Sequence, residues 1–222
     1  MMDRLKKLLG ATMLTSVMIT GAARAEGEFT STVGLTSDYV FRGVTQTLNN
    51  PAIQGSIDYA NGPFYAGVWG SNVDFGIDET IETDVYAGFK PSAGAVSLDF
   101  AVIGYFYPGS TDAAGEFDYF EGKAAASIAP VESLTLGAAL YYSPEFFAET
   151  GDAFYAEVNG AYAFSDALSV SAAYGTQDID LGVDYDTWNV GASFTAGGIK
   201  FDLRYHDTDI TGADDIVHAP AV

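Results

Sequence analysis

The sequence predicts an all-β chain, a transmembrane antiparallel up-and-down β-barrel of about twelve strands preceded by a cleaved signal peptide. Three observations predict it. Apolar and polar residues alternate with period two along nearly the whole chain. The connections alternate between short turns and longer loops, as in bacterial barrels. Finally, 48% hydrophobic and 14% aromatic content coexists with a formal net charge of −21. A disordered acidic chain would be poor in aromatics, and a nucleic-acid binder would need a basic face, so neither class fits. With no cysteine in the sequence, disulfides, thiolate metal sites and Cys nucleophiles are excluded.

The first element is a leader, residues 1–25. Arg4, Lys6 and Lys7 make a basic start, Leu8 to Ala22 an apolar middle, and Ala23-Arg24-Ala25 an A-x-A site cut after Ala25. Its loss removes Asp3, Arg4, Lys6, Lys7 and Arg24 from the 30 acids and 9 bases, leaving 29 and 5, a net charge of −24. No later apolar run is long enough for a membrane helix, so residues 26–222 form one barrel domain that crosses with strands.

Phe29 to Arg42 then reads as a strand, with Phe29, Val33, Leu35, Tyr39 and Phe41 facing lipid and Thr30, Thr32, Thr36, Asp38 and Arg42 facing inward. Ile81 to Lys90 sets Ile81, Val85 and Phe89 against Glu82, Asp84 and Lys90. In Ile199 to His206, Ile199, Phe201, Leu203 and Tyr205 oppose Lys200, Asp202, Arg204 and His206. Strands of about ten residues are long enough to cross a bilayer when tilted. Short turns fall at Asn61–Pro63, Pro91–Gly94, Pro130–Ser133, Ser165–Asp166 and Ala196–Gly198. Longer loops fall near Gly43–Asn50, Asp74–Glu79, Pro108–Glu116, Pro144–Asp152, Gln177–Asp184 and Asp207–Asp215.

Aromatics mark both strand ends as headgroup belts: Phe64, Phe89, Phe164, Phe194 and Phe201 by the turns, and Tyr39, Phe41, Tyr105, Phe106, Tyr107, Tyr141, Tyr142, Tyr174 and Tyr205 by the loops. The end of the sequence, Asp215 to Val222, lacks a terminal aromatic, and Pro220 cannot donate to a closing ladder.

Ser37-Asp38-Tyr39-Val40-Phe41-Arg42-Gly43-Val44-Thr45-Gln46-Thr47 resembles the N-terminal signature of the Gcw_chp family, also labelled TorF-type porins. Similar stretches are Tyr65–Val73, Asp84–Phe89, Gly104–Gly109 and Asp202–Asp209. The resemblance implies a β-barrel in the outer membrane of a Gram-negative bacterium, with a porin role and no well-established substrate.

Strand phase places all five bases of residues 26–222 inward: Arg42, Lys90, Lys123, Lys200 and Arg204. Eight acids share that face: Asp38, Asp58, Glu82, Asp84, Asp99, Glu121, Glu157 and Asp202. Asp38, Arg42, Glu82, Asp84, Glu121, Lys123, Glu157, Lys200, Asp202 and Arg204 are therefore the expected pore-lining set. A conduit lined this way favours small hydrophilic solutes, cationic or neutral. The same groups could instead pair and close the lumen, giving a non-conducting barrel that binds divalent cations, lipopolysaccharide or a protein through its acidic loops. The loops hold 15 of the 29 acids. Asp178, Asp180 and Asp184 are the candidate metal ligands, without the downstream Glu of a calcium loop. The only histidines, His206 and His218, come with no hydrolase motif, so neither enzyme activity nor a cofactor is expected. Expected partners are outer-membrane lipid and lipopolysaccharide, the barrel-assembly machinery and small hydrophilic solutes.

Overall fold

Period-two alternation gives strands that pair in chain order. The computed structural model describes residues 11–20, 27–76, 80–109 and 116–210. Its strands are β1 (Ala11–Thr20), β2 (Glu28–Thr36), β3 (Val40–Phe41), β4 (Val44–Thr45), β5 (Ala52–Asn61), β6 (Phe64–Asn72), β7 (Ile81–Phe89), β8 (Ser92–Ala93), β9 (Val96–Phe106), β10 (Tyr119–Val131), β11 (Leu134–Ser143), β12 (Ala153–Ser165), β13 (Leu168–Ile179), β14 (Tyr185–Ala196) and β15 (Ile199–Thr208). Apart from the short β3, β4 and β8, each strand pairs antiparallel with the next, which is up-and-down topology.

The twelfth staff is β1. It pairs antiparallel with both β15 and β2, within the stretch read as a leader. Without it the remaining eleven long strands make an open sheet, whose edges β2 and β15 run parallel to one another. The residues expected at the end of the last strand, 215–222, lie outside the described residues, as do Asp78, Glu79, Asp112 and Asp214 of the acidic loops.

The tight turns follow their chemistry. Between β14 and β15, Gly197 and Gly198 have φ of 59° and 82°, the left-handed pair that a two-residue hairpin turn requires. The outer surface is apolar: Val33, Ile57, Val102, Val158 and Leu203 point outward and are more than half exposed. Continuous apolar surface of this extent suits lipid rather than water.

Two expectations need correction. Phe29 to Arg42 is not one strand: β2 stops at Thr36, and residues 37–51 form an inward loop carrying the β3–β4 hairpin. The reason is local, because Asp38 captures two threonine hydroxyls and holds the chain in a turn. Nor do the aromatics at the loop end form a uniform lipid belt. Tyr142 and Tyr174 are half exposed outside, but Tyr39, Phe41, Tyr105 and Tyr107 belong to an interior cluster with Val73, Phe75, Phe117, Tyr119, Phe146 and Phe147, and Tyr141 stacks on a lumen cation. Tyr105, Tyr119 and Tyr141 lie on the same strand phases as Ile103, Glu121 and Ala139, so parity sends them inward.

Candidate functional site

The site is the lumen, and its centre is the loop at 37–51. Asp38 Oδ1 accepts the hydroxyls of Thr45 (2.6 Å) and Thr47 (3.0 Å), while Thr47 Oγ1 also accepts the Tyr39 amide at 3.1 Å. Burial pushes the Asp38 carboxyl above its ordinary range, against the two hydroxyls that favour its charged form. At the hairpin tip Arg42 and Gly43 both have positive φ, 47° and 86°. A Cβ on Gly43 would lie 2.2 Å from Thr187 Oγ1 on β14, so the tip crosses from the β2–β5 wall to the far wall with no room to spare.

This crossing delivers Arg42. Its Nη1 donates to Glu121 Oε1 and Gln177 Oε1, both at 2.9 Å, and Nη2 donates to Glu121 Oε2 at 2.8 Å. The guanidinium also stacks on Phe41, Tyr141 and Tyr155, with 4.7, 4.9 and 4.3 Å to the ring centroids. Arg42 and Glu121 side chains are 6% and 1% exposed, so this is a desolvated, bidentate pair. Tyr105 donates a further bond to Glu121 Oε2 at 3.1 Å. The interior aromatic cluster packs beside it, with Tyr105 stacked on Tyr119 at 4.3 Å and Phe117 on Phe147 at 4.6 Å.

Glu82 and Asp84 project from β7 into the same half. Glu82 Oε1 accepts the Tyr39 hydroxyl at 2.9 Å. Glu82 Oε2 and Asp84 Oδ1 are buried without a hydrogen-bond partner.

Toward the short turns the lumen is polar and open. Lys123 pairs with Asp99 at 2.7 Å, Tyr65 donates to the same carboxylate at 2.7 Å, and Lys90 approaches it at 4.0 Å from over the Tyr65 ring. Lys90, Asp99, Lys123, Tyr141, Glu157 and Asn159 line a cavity of about 390 Å³. Glu157 accepts from Tyr155 (3.1 Å) and Asn159 (2.9 Å), and Asp58 accepts from Ser56 at 2.8 Å and from Tyr86. On β15, Arg204 reaches Asp202 (3.1 Å), Asn189 (2.5 Å) and Ser171 (2.7 Å).

Of the ten residues singled out in the sequence, Glu82, Asp84, Glu121, Lys123, Glu157, Lys200, Asp202 and Arg204 lie on the inward phase of their strands. Asp38 and Arg42 enter by the loop instead. The structure joins Arg42 to Glu121 and Arg204 to Asp202, and it adds Gln177 and the lumen tyrosines, which phase counting along β9 to β13 would have found. Asp178, Asp180 and Asp184 are not assembled as ligands. Asp184 Oδ1 caps the Ile179 amide at 2.9 Å, and no group of three or more metal-ligating side chains occurs among the described residues.

Four ion pairs occur within 4.0 Å among the described residues, and their acids are Glu121, Asp99 and Asp202. Asp58, Glu82, Asp84 and Glu157 therefore face the lumen with hydroxyl, amide or no partners rather than bases.

A family model described as a bacterial protein of unknown function (Gcw_chp) matches residues 21–217. No curated protein matches the chain. Among solved structures, a porin is 13% identical, covering 92% of this chain and 95% of its own, with a TM-score of 0.46. An outer membrane channel from Pseudomonas putida F1 is 12% identical over 90% and 95%, TM-score 0.43. A mutant of the TodX monoaromatic hydrocarbon channel is 7% identical over 89% and 87%, TM-score 0.48.

Proposed function

We propose that this chain, which belongs to the Gcw_chp family of bacterial proteins, is an outer-membrane barrel of the TorF-type porin kind that passes small hydrophilic solutes, cationic or neutral, by passive diffusion. The observation that carries this reading is the charge balance of the lumen. Arg42, Lys123 and Arg204 are each held by a carboxylate, while Asp58, Glu82, Asp84 and Glu157 have no basic partner within 4.0 Å among the described residues. A narrow path in low-dielectric walls amplifies such an excess, attracting cations and repelling anions. Asp38, Asp58, Glu82, Asp84 and Glu157 supply the negative field, and Arg42 with its partner Glu121, together with Lys123, Lys200, Asp202 and Arg204, shapes the cross-section. The apolar outer surface supports a lipid environment, and the basic-apolar-small start of the sequence supports export, with cleavage after Ala25 removing β1 and leaving β2 and β15 as parallel edges that the exported barrel must bring together. Outer-membrane lipid, lipopolysaccharide and the assembly machinery are partners on the same reading.

A second reading is favoured by the loop half of the lumen, where the Arg42–Glu121 pair and the aromatic cluster fill the section: a non-conducting barrel that engages divalent cations, lipopolysaccharide or a protein through its acidic loops. Planar-bilayer recording decides between them. Discrete conductance with a reversal potential favouring cations in a potassium chloride gradient is the expected result. Absence of conductance above background at every voltage removes the pore, and anion preference removes the charge reading while leaving the pore.

A further inference from the structure

We propose that Glu82 and Asp84, walled by Tyr39, Trp69 and Tyr107, form a binding station for a small monovalent cation inside the lumen. The inference deepens the reading that cations cross this barrel and rests on it for the station's place on a path.

The two carboxylates are two residues apart on β7, hence on one face of one strand. They are close enough to interact with each other and with Tyr107. Glu82 is 1% exposed, and it has one oxygen bound to the Tyr39 hydroxyl at 2.9 Å. Its other oxygen and Asp84 Oδ1 have no hydrogen-bond partner. No base supplies the missing charge, since the ion pairs among the described residues belong to other acids. Arg42, the arginine of the same half, spends Nη1 on Glu121 and Gln177 and Nη2 on Glu121. Adjacent buried carboxylates repel and are costly to desolvate, so the pair takes up either a proton or another cation between its oxygens.

The surroundings indicate its class. Two carboxylates and nearby phenols fall short of the six to eight oxygens that calcium takes, and no three-ligand metal group occurs among the described residues. Tyr39 and Trp69 pack edge-to-face at 5.4 Å, and Trp69 stands opposite Asp84 in the ladder. Aromatic faces attract a compact monovalent cation that has shed part of its water. Asp84 is only half-buried while Glu82 is sealed under Tyr39, so entry is past Asp84.

Trp69 is a built-in reporter, because the second tryptophan, Trp188, faces outward at 41% exposure. The full chain carrying Trp188→Phe is refolded in detergent, its fold verified by heat-shifted gel mobility, and Trp69 emission is titrated with potassium chloride or N-methylglucamine chloride at matched ionic strength. The expected result is a saturable change with potassium alone, with its midpoint raised about tenfold or more in Asp84→Asn or Glu82→Gln. Equal responses to both salts, an unchanged midpoint in both variants, or a response to pH alone overturns the site. Calcium chloride saturating at about a tenfold lower concentration overturns the monovalent class. If the variants do not fold, the contrast between the two salts still decides. A silent Trp69 in a barrel that conducts removes only the station; a potassium response in a barrel that does not conduct removes only the pore.

Discussion

At the short-turn end of the barrel Phe64, Phe89, Phe164 and Phe194 stand on the outer surface, each at least a third exposed. At the loop end Tyr105, Tyr107, Phe117 and Tyr119 are buried inside, each below a tenth exposed. Both sets lie at strand ends, and they differ in strand phase and in what the adjoining connection does. A two-residue turn has no side chains to place in the lumen, so an aromatic there is useful only at the lipid interface. The loop at 37–51 folds inward, and its Arg42 needs aromatic faces and carboxylates to replace the water it loses. The loop end is therefore the drier, better-bonded half, and the turn end keeps a cavity of about 390 Å³.

The largest test of this contrast is Arg42→Ala. It leaves Glu121, at 1% exposure, buried without its cation, and removal of one partner from such a pair costs about 3–5 kcal/mol. Urea unfolding of the refolded barrel in detergent is expected to show that loss. Lys123→Met, at a pair whose side chains are 21% and 17% exposed, is expected to cost about 1 kcal/mol or less in the same assay. Equal losses would erase the distinction between the halves.

Next in size is Val102→Arg. Val102 is outward, 60% exposed and mid-strand on β9. An arginine at the bilayer midplane costs about 2–4 kcal/mol, read as a loss of stability in lipid vesicles that is smaller in detergent. No difference between the two media would place β9 away from the membrane core.

A smaller effect than either Arg42→Ala or Val102→Arg concerns the loop's hinge. Asp38→Ala strips the acceptor from Thr45 and Thr47 and is expected to cost about 1–2 kcal/mol, whereas Asp38→Asn keeps an acceptor and costs less. Because burial raises the Asp38 carboxyl in the folded protein, its own titration stabilises the fold below the ordinary carboxylate range. That contribution is lost as pH rises through the folded value. The difference in stability against pH between the native chain and Asp38→Asn should show this dependence, since every other titrating group is common to both.

Much of the barrel is legible in the order of residues. Alternation gives strand phase, and phase put Glu82, Glu121, Lys123, Glu157 and Asp202 inward, because a side chain on a strand has only two faces to choose from. The same rule failed for Tyr39 and Phe41 because it was carried past Thr36. There Asp38 exchanges the ladder for hydroxyl bonds, and beyond that turn phase no longer predicts direction. Tyr105 and Tyr141 leave the headgroup belt for another reason: strand parity turns both rings inward, and parity outweighs the preference of tyrosine for the interface.

Sequence by itself determined the barrel class, the inward charges carried on strands and the acidic excess, all of which follow from a local two-residue period and from composition. Only the tertiary structure decided that Arg42 meets Glu121 and Gln177, 79 and 135 residues away, that Glu82 and Asp84 have buried oxygens without partners, and that β1 sits between β15 and β2. These are contacts across the lumen or between the ends of the sheet. They depend on how a loop folds and where a ring of strands meets itself, which no local pattern encodes.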